Sequence, residues 1–287
     1  MKRNRLIDRI ATVYFWFAGI VILIILALFL IRILGNGLPH LSWSFITGKP
    51  SETRAGGGVG PMLFNSFYIL FLSFLISLPI GIGAGIYLAV YAGKNKFTEL
   101  VRISVEALSS VPSIVFGLFG ALLFVKMFGF KISIISGAAT LSLLNLPVLV
   151  RITEEAIRTV PASYWEASLA LGSSRWQAIR KVLLPTALPG LITGITLTAG
   201  RALGETAVLI YTAGTAVSSI HLPDFDLKAM GETLAVYLWY SGSTSLAPDA
   251  KEIAEGTAAL LILIVLIFNL LIAIPGRIIQ KRLSGGK

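Results

Sequence analysis

The chain has 287 residues, of which 55% are hydrophobic and 13% charged, and its mean hydropathy is +0.84. A soluble protein of this length cannot bury so much apolar surface, so the composition indicates an all-α integral membrane protein. Cysteine is absent, which excludes disulfides and thiolate metal sites and leaves His40 and His221 as the possible imidazole ligands. We interpret both histidines as ordinary loop residues and predict no metal or other cofactor.

Windows without charged residues locate the membrane-spanning helices, because each span needs about 20 apolar residues. The windows are Ile10 to Ile31, one span within Ala55 to Gly93, Ala107 to Val125, Ile132 to Val150, roughly Leu188 to Ala213, and Gly256 to Gly276. They predict six transmembrane helices. The first window is longer than the apolar core of a secretory signal, so we interpret it as a retained membrane anchor.

Lysine and arginine are concentrated in the segments that would share one side of such a membrane protein. These residues are Lys2, Arg3, Arg5, Arg9, Lys94, Lys96, Arg102, Arg151, Arg158, Arg175, Arg180, Lys181, Arg277, Lys281, Arg282 and Lys287. Because cytoplasmic loops retain positive charge, both termini are predicted to be cytoplasmic. Topology thus accounts for the net charge of +10, and no basic stripe interleaved with aromatic residues supports nucleic-acid binding.

The glycine-rich segments do not predict a nucleotide site. The segment 93–95 reads Gly-Lys-Asn, but it lacks the earlier glycine and the following hydroxyl residue of a phosphate-binding loop. The cluster 56–58 and the pair Gly81 and Gly85 lack the strand-to-helix setting that such loops need. Gly81 and Gly85 are four residues apart, and we expect them to let two helices approach closely in lipid.

The polar segment 161–185, between the fourth and fifth spans, begins with a predicted short helix. Ser163 and Glu166 have the spacing of a capping box, which would start the helix there. Gly172 follows where a helix end favours a residue that tolerates positive φ. The first helix is therefore expected to end at Gly172.

A second helix is predicted directly after that turn. Ser174 and Gln177 repeat the capping-box spacing, and we expect Pro185 to interrupt the helix they begin. Two short helices are also common in polar loops between membrane helices. The caps alone therefore indicate a helical hairpin without indicating its function.

The residues of this hairpin resemble the coupling loop of permease subunits in ATP-binding-cassette importers. That loop reads Glu-Ala-Ala, three residues, Gly, nine residues, Ile, one residue, and Leu-Pro. The matching residues are Glu166, Ala167, Gly172, Leu184 and Pro185, with Ser168 for the second Ala and Val182 for Ile. The resemblance implies a type I ABC importer permease fold, with these residues coupling the chain to a separate cytoplasmic ATPase.

Arg201 and Glu205 form a charged pair within the fifth predicted span. Four residues apart in one helix, they would share a face, and Arg201 would lie about 20 Å along a helix beginning near Leu188. An arginine at mid-bilayer costs at least about 3 kcal/mol on insertion scales, so its presence indicates function. We interpret Arg201 as a planar donor to a tetrahedral oxyanion, with Glu205 balancing its charge. The alternative is a structural pair that joins two subunits.

The segment Arg201-Ala202-Leu203-Gly204-Glu205 resembles permeases for phosphate, sulfate and molybdate, and Thr206-Ala207 is similar to the phosphate branch. Segments 145–155 and 188–195 are likewise similar to the A-type permease of the phosphate-specific system. The resemblance extends from about Gly58 to the C-terminus. It implies import of inorganic phosphate across a bacterial inner membrane, without covalent chemistry by this chain, and adds Thr206 to the candidate path.

The same resemblance implies a set of partners. They are a related C-type permease as heterodimer, two copies of a cytoplasmic ATPase, an extracytoplasmic phosphate-binding protein and membrane lipid. The implied mechanism is alternating access, in which ATP closure of the motor subunits moves the hairpin. The alternatives are a permease for sulfate or molybdate, and an ATP-independent channel or carrier that uses the same charged pair.

Arg151 ends the fourth predicted span and is followed by Glu154 and Glu155. It has two interpretations. As a second station on the anion path, it would be weakened by the nearby carboxylates so that release remains possible. As a positive-inside anchor, it would simply precede acidic residues that begin the next helix. The sequence favours the anchor.

The outer loop from Ala216 to Glu255 is net acidic. Such a surface does not concentrate an anion, which is consistent with delivery by a separate binding protein. Within it, Phe225 to Trp239 is expected to form a short interfacial helix, with Tyr237, Trp239 and Tyr240 at headgroup level.

The predicted organisation has three parts. Residues 1–57 hold the N-terminal cytoplasmic tail, the first transmembrane helix and an outer loop. Residues 58–280 form the permease core with five transmembrane helices and the hairpin at 161–185, and residues 281–287 form a second cytoplasmic tail.

Overall fold

A computed structural model describes the backbone of residues 2–51, 54–93, 95–217 and 223–283. Within these ranges the side chains are described for residues 8–272 and for Ile274. Most of the described chain is helical, as expected where lipid leaves every backbone group to be satisfied internally. A single antiparallel bridge between Val217 and Gly231 is the extended pairing in these ranges.

Twelve α-helices follow one another in the described ranges. They are α1 (Lys2–Gly37), α2 (Trp43–Thr47), α3 (Gly60–Ile86), α4 (Lys96–Ser110), α5 (Ser113–Gly120), α6 (Ile134–Arg158), α7 (Ala162–Ala170), α8 (Arg175–Ala178), α9 (Leu184–Leu203), α10 (Ala207–Thr212), α11 (Leu234–Ser243) and α12 (Ala250–Leu283). A 3₁₀ turn covers Leu38–His40, and π-helical segments cover Tyr87–Tyr91, Ala121–Met127 and Ile179–Leu183.

Five helical stretches in the described ranges are long and apolar enough to cross a membrane. They are Asp8–His40, Gly60–Tyr91, Ile134–Arg158, Arg175–Leu203 and Ala250–Ile272. The pair Lys96–Ser110 and Ser113–Met127 passes the same criteria only when taken together, and it accounts for the sixth span. The prediction of an all-α membrane fold with six spans is thus confirmed.

The third span differs from its prediction as one straight helix from Ala107 to Val125. Its two halves meet at an angle of 97°. Val111 is extended (φ −67°, ψ 132°) because Pro112 follows it and disfavours helical backbone at the preceding residue. The proline also cannot donate an N–H to the preceding turn. The charge-free window therefore predicted the span but not its sharp bend.

The fifth predicted span, Leu188 to Ala213, is also divided. Its main helix ends at Leu203, and α10 starts only at Ala207 after a break of three residues. The break lies within the segment that carries Glu205 and Thr206, so these residues occupy a connection rather than a helix face.

The interface between α3 and α6 depends on two small residues. A Cβ added to Gly81 would lie 2.7 Å from Leu149 Cβ, and one added to Gly85 would overlap Thr153. The paired residues advance together along both helices, so α3 and α6 run parallel. The prediction that Gly81 and Gly85 permit close helix approach is confirmed.

Replacing Gly85 by alanine is therefore expected to destabilise the protein by about 1–3 kcal/mol, because the added methyl group overlaps Thr153. Gly83 provides the matched control on the same helix, since no heavy atom lies within 4 Å of a Cβ added there. Thermal unfolding in detergent should show a lower Tm for Gly85→Ala than for Gly83→Ala. Equal values would contradict the close packing of α3 on α6.

The main core lies where α3, α6, α9 and α10 meet. Its fully buried members include Ile69, Leu141, Val208 and Leu209. By contrast, none of the apolar window of α1 is buried, and α1 contacts α12 near the C-terminal end of α1, where Gly37 packs against Glu255 and Ala259. The compact body that holds the candidate sites is therefore built from α3 onwards.

The outer segment is folded differently from its prediction as an interfacial helix from Phe225 to Trp239. Helix α11 begins only at Leu234, after the side chain of Thr233 accepts a hydrogen bond from the N–H of Val236. Tyr237 is buried in the protein rather than exposed at headgroup level, whereas Trp239 is exposed. Packing against the core thus determines the position of Tyr237, which the pattern of aromatic residues did not predict.

Candidate functional site

The first hairpin helix, α7, begins at Ala162 directly after Pro161, whose backbone is extended (φ −55°, ψ 133°). No side chain caps this helix, so the predicted capping box of Ser163 and Glu166 is wrong. Proline has a fixed φ and prevents helical backbone at the residue before it, so it sets the helix start by itself. Ser163 consequently lies inside the first turn.

The end of α7 agrees with the sequence. Gly172 has φ +82°, a left-handed conformation that side chains with a Cβ rarely adopt. The N–H of Gly172 donates to Leu169 O (2.9 Å) and that of Ser173 to Ser168 O (3.2 Å). These two bonds form a Schellman motif, which satisfies the last carbonyls of the helix. The prediction that the helix stops at Gly172 is confirmed.

The second capping box is also present. Ser174 Oγ accepts from the N–H of Gln177 (3.3 Å), and Gln177 Oε1 accepts from the N–H of Ser174 (2.9 Å). The expected interruption at Pro185 is wrong, because the helix continues to Leu203. A π-helical segment, Ile179–Leu183, precedes the proline and widens the turn in which its ring would otherwise meet a carbonyl.

One part of the hairpin is buried against the end of α6, and another part is exposed. Ile179 and Leu183 are buried against Ile157 at the end of α6. Leu171 after α7 is 88% exposed, and Tyr164 and Trp176 are exposed as well. The hairpin thus combines a buried base with three exposed apolar side chains.

The six proposed coupling residues divide between these two regions of the hairpin. Glu166, Ala167 and Gly172 are exposed on or after α7. Val182, Leu184 and Pro185 are half-buried at the base, where the second helix enters the membrane-spanning body.

Arg201 and Glu205 are separated by the break after α9. The shared helix face is therefore wrong, and the ion pairs of the described side chains do not include one between these two residues. Gly204 ends the helix, with its N–H bonded to Arg201 O at 3.1 Å. In the sequence, this break is indicated by a glycine that is followed directly by polar residues.

The two charges have different environments. Arg201 is exposed in the last turn of α9. Glu205 is only 8% exposed, and its Oε1 accepts a hydrogen bond from the N–H of Val208 at 3.4 Å, in the first turn of α10. Thr206 is half-buried beside it, and its Oγ1 donates to Gly204 O at 3.4 Å. The Glu205 carboxylate thus stabilises the connection between α9 and α10, whereas the Arg201 guanidinium is exposed.

A neighbouring contact gives the depth of Arg201. A Cβ on Gly200 would lie 3.3 Å from Asn269 Oδ1 and 3.7 Å from Val265 Cγ1, both on α12. These α12 residues are near the centre of the charge-free window from Gly256 to Gly276. The end of α9 is therefore level with the middle of that window. Asn269 Oδ1, which is buried and has no hydrogen-bond partner among the described residues, adds a polar group that sequence reasoning missed.

Arg151 is held by carboxylates from two helices. Its Nε lies 2.8 Å from Glu155 Oε1 on α6, and its Nη1 lies 3.6 Å from Glu106 Oε1 on α4. The side chain lines a cavity of about 190 Å³ between the two helices. Sequence proximity had indicated the α6 carboxylates but not Glu106, which is far away in the chain.

The described side chains contain no cluster of three His, Asp or Glu residues able to hold a metal. His40 Nε2 lies 3.9 Å from Glu255 Oε2. His221 is outside the described residues.

Residues 81–285 match the family of binding-protein-dependent transport system inner membrane components. The chain is 44% identical to the probable ABC transporter permease protein YqgI of Bacillus subtilis, over 98% of this chain and 99% of that protein. It is 35% identical to the phosphate transport system permease protein PstA of Haemophilus influenzae, over 84% of this chain and 83% of that protein.

Two solved structures share the architecture. The inward-facing MetNI methionine ABC transporter aligns with 77% of this chain and 94% of its own at 25% identity and a TM-score of 0.59. A bacterial alginate ABC transporter in complex with its periplasmic protein aligns with 98% of this chain and 97% of its own at 14% identity and a TM-score of 0.63. The fold is that of type I ABC importer permeases. The chain therefore belongs to the binding-protein-dependent transport system inner membrane component family, as a multi-pass permease subunit of an ABC importer.

Proposed function

We propose that this chain is a permease subunit of an ATP-driven importer of inorganic phosphate and forms half of its translocation pathway. The observation that carries the proposal is the exposed guanidinium of Arg201, which has no ion pair among the described side chains and is level with the middle of the charge-free window of α12. A charge at that depth must face a polar cavity or a partner subunit. Its planar set of donors suits a tetrahedral oxyanion.

Phosphate is favoured over sulfate and molybdate by the relatives. The Haemophilus protein and further relatives between 31% and 39% identical are named for phosphate transport. The segment Arg201 to Thr206 supplies the residues of the proposed path. Glu205 would act through the chain conformation it stabilises, and Thr206 would line the path beside it.

Arg151 is a less favoured member of the path. Its guanidinium is already occupied by Glu155 and approached by Glu106. An anion arriving there would compete with two carboxylates. The contact pattern therefore supports an anchoring role at the inner end of α6.

The hairpin would couple this chain to the motor. Exposed Glu166 and the apolar surface of Tyr164, Leu171 and Trp176 would enter a groove of a cytoplasmic ATPase, present in two copies. The other half of the pathway would be a related C-type permease. A phosphate-binding protein would dock on the acidic outer segment, which repels the free anion.

This assignment implies that both termini and the hairpin are cytoplasmic, in agreement with the distribution of lysine and arginine. The proposed organisation keeps three parts: residues 1–57, the permease core 58–280 with its hairpin, and the tail 281–287. ATP would be hydrolysed by the partner subunits alone.

Uptake of radiolabelled phosphate into proteoliposomes that contain this chain, the related permease, the ATPase and the phosphate-binding protein tests the proposal. We expect uptake that requires ATP and is suppressed by excess unlabelled phosphate but not by equal sulfate or molybdate. Suppression by sulfate or molybdate would favour the broader oxyanion permease. Uptake by this chain without ATP would instead indicate a channel or carrier.

A further inference from the structure

Arg102 on α4 connects three elements on the side of the molecule that carries the hairpin. Its Nε donates to Glu154 Oε1 on α6 at 2.8 Å, and its Nη2 donates to Leu88 O at 2.9 Å. Leu88 belongs to the π-helical segment that ends α3, where a free carbonyl attracts a cation. One guanidinium thus bridges the ends of α3 and α6 to α4.

Glu154 is the shielded centre of this arrangement. Its side chain is only 12% exposed, and the same Oε1 also accepts from Arg158 Nη2 at 2.8 Å. The residue before it, Thr153, packs against Gly85, so α3 and α6 behave as one unit at this level. The Arg102 bonds therefore connect α4 to a rigid pair of helices.

A second ion pair joins α4 to α6 but is far more solvated. Glu106 and Arg151 are 3.6 Å apart with side chains 72% and 51% exposed. Exposed pairs at such distances contribute little to stability. The pair of Arg102 and Glu154 is thus the stronger connection, and Glu106 with Arg151 provides a natural control.

The connection lies between the hairpin and the segment that carries Arg201. On one side, α6 ends at Arg158, and α7 starts four residues later. On the other, α4 meets α5 at the 97° bend, and Gly117 of α5 packs directly on Ala207 and Val208. Those two residues follow the break that contains Glu205. A continuous series of contacts therefore runs from the hairpin to the candidate anion path.

We propose that Arg102, held by Glu154, is a positioning residue that makes the bent helix pair α4–α5 follow the movement of the hairpin. This inference rests on the proposed function. When the ATPase moves the hairpin and α6, the Arg102 bonds carry α4 with them, and α5 then shifts the segment after Arg201. Without these bonds the hairpin moves and ATP is consumed, but the anion path responds less.

The test is the ratio of phosphate imported to ATP hydrolysed by the complete complex in proteoliposomes. Arg102→Gln is the main variant, because Glu154 keeps its bond to Arg158 and no shielded charge is left unpaired. We expect the ratio to fall by about tenfold, within the range of coupling effects seen for such contacts, while ATP hydrolysis continues. Glu106→Gln, which breaks only the exposed pair, should leave the ratio near that of the native complex.

An unchanged ratio in assembled Arg102→Gln would overturn the inference, as would equal losses of uptake and hydrolysis, which indicate a general structural defect. If that complex does not assemble, Arg102→Lys is measured instead. Lysine keeps the charge but lacks the planar fork that reaches both Glu154 and Leu88, so a lower ratio is again expected and an unchanged one overturns the inference. Absence of phosphate uptake by the native complex would be a failure of the proposed function.

Discussion

Replacing Arg201 by glutamine is expected to lower ATP-dependent phosphate uptake by about a hundredfold, because two hydrogen bonds from a charged donor are together worth about 3 kcal/mol. The amide of glutamine retains a donor but removes the positive charge. Since Arg201 is exposed at the end of α9, this substitution leaves no buried group unpaired. The complex should therefore assemble with native ATPase content.

The matched control is Arg201→Lys, which keeps the charge and loses the bidentate geometry. Its uptake should fall between the native and glutamine values. Size-exclusion chromatography verifies assembly, and initial uptake rates at saturating ATP give the comparison. Full uptake by assembled Arg201→Gln would make Arg201 a structural charge and assign selectivity to a partner.

Replacing Gly172 by valine is expected to reduce copurification of the ATPase by about tenfold or more, since a left-handed backbone costs an L-residue about 1–2 kcal/mol, and β-branching adds to it. Gly172 has φ +82°, and its N–H closes the end of α7 on Leu169. Valine would displace this end and with it the exposed surface at Leu171. The membrane-spanning body does not depend on this turn.

Gly172→Asn is the control for this experiment, because asparagine tolerates the left-handed region and is found at helix ends. It should retain most of the ATPase during affinity purification of the complex. Equal retention by the valine variant would show that the hairpin end is not part of the motor contact.

The sequence predicted those features of the hairpin that local chemistry determines. A glycine after a helical segment and a serine three residues before a glutamine specify their own backbone, and both Gly172 and Ser174 behave as expected. The capping box predicted at Ser163 is wrong because Pro161 determines where α7 starts. The helix interruption predicted at Pro185 is wrong because a π-helical segment accommodates the proline, and the residue order does not signal that segment.

The remaining differences arise where distant segments meet. Charge-free windows measure length and polarity, so they located the third span but not its bend at Pro112, and the fifth but not its break after Gly204. The bonds of Arg102 to Glu154 and Leu88 join residues far apart in the chain. The packing of α3 and α4 on α6 brings these partners together.

Whether Arg201 lies on a water-accessible phosphate path can be measured directly because the chain has no cysteine. Arg201→Cys introduces one thiol, which is treated in the assembled complex with either a cationic aminoethyl or a neutral methyl thiosulfonate reagent. We expect phosphate to slow both modifications and the cationic adduct alone to recover part of the lost uptake. A thiol that neither reagent reaches, or equal uptake after both reagents, would contradict this expectation.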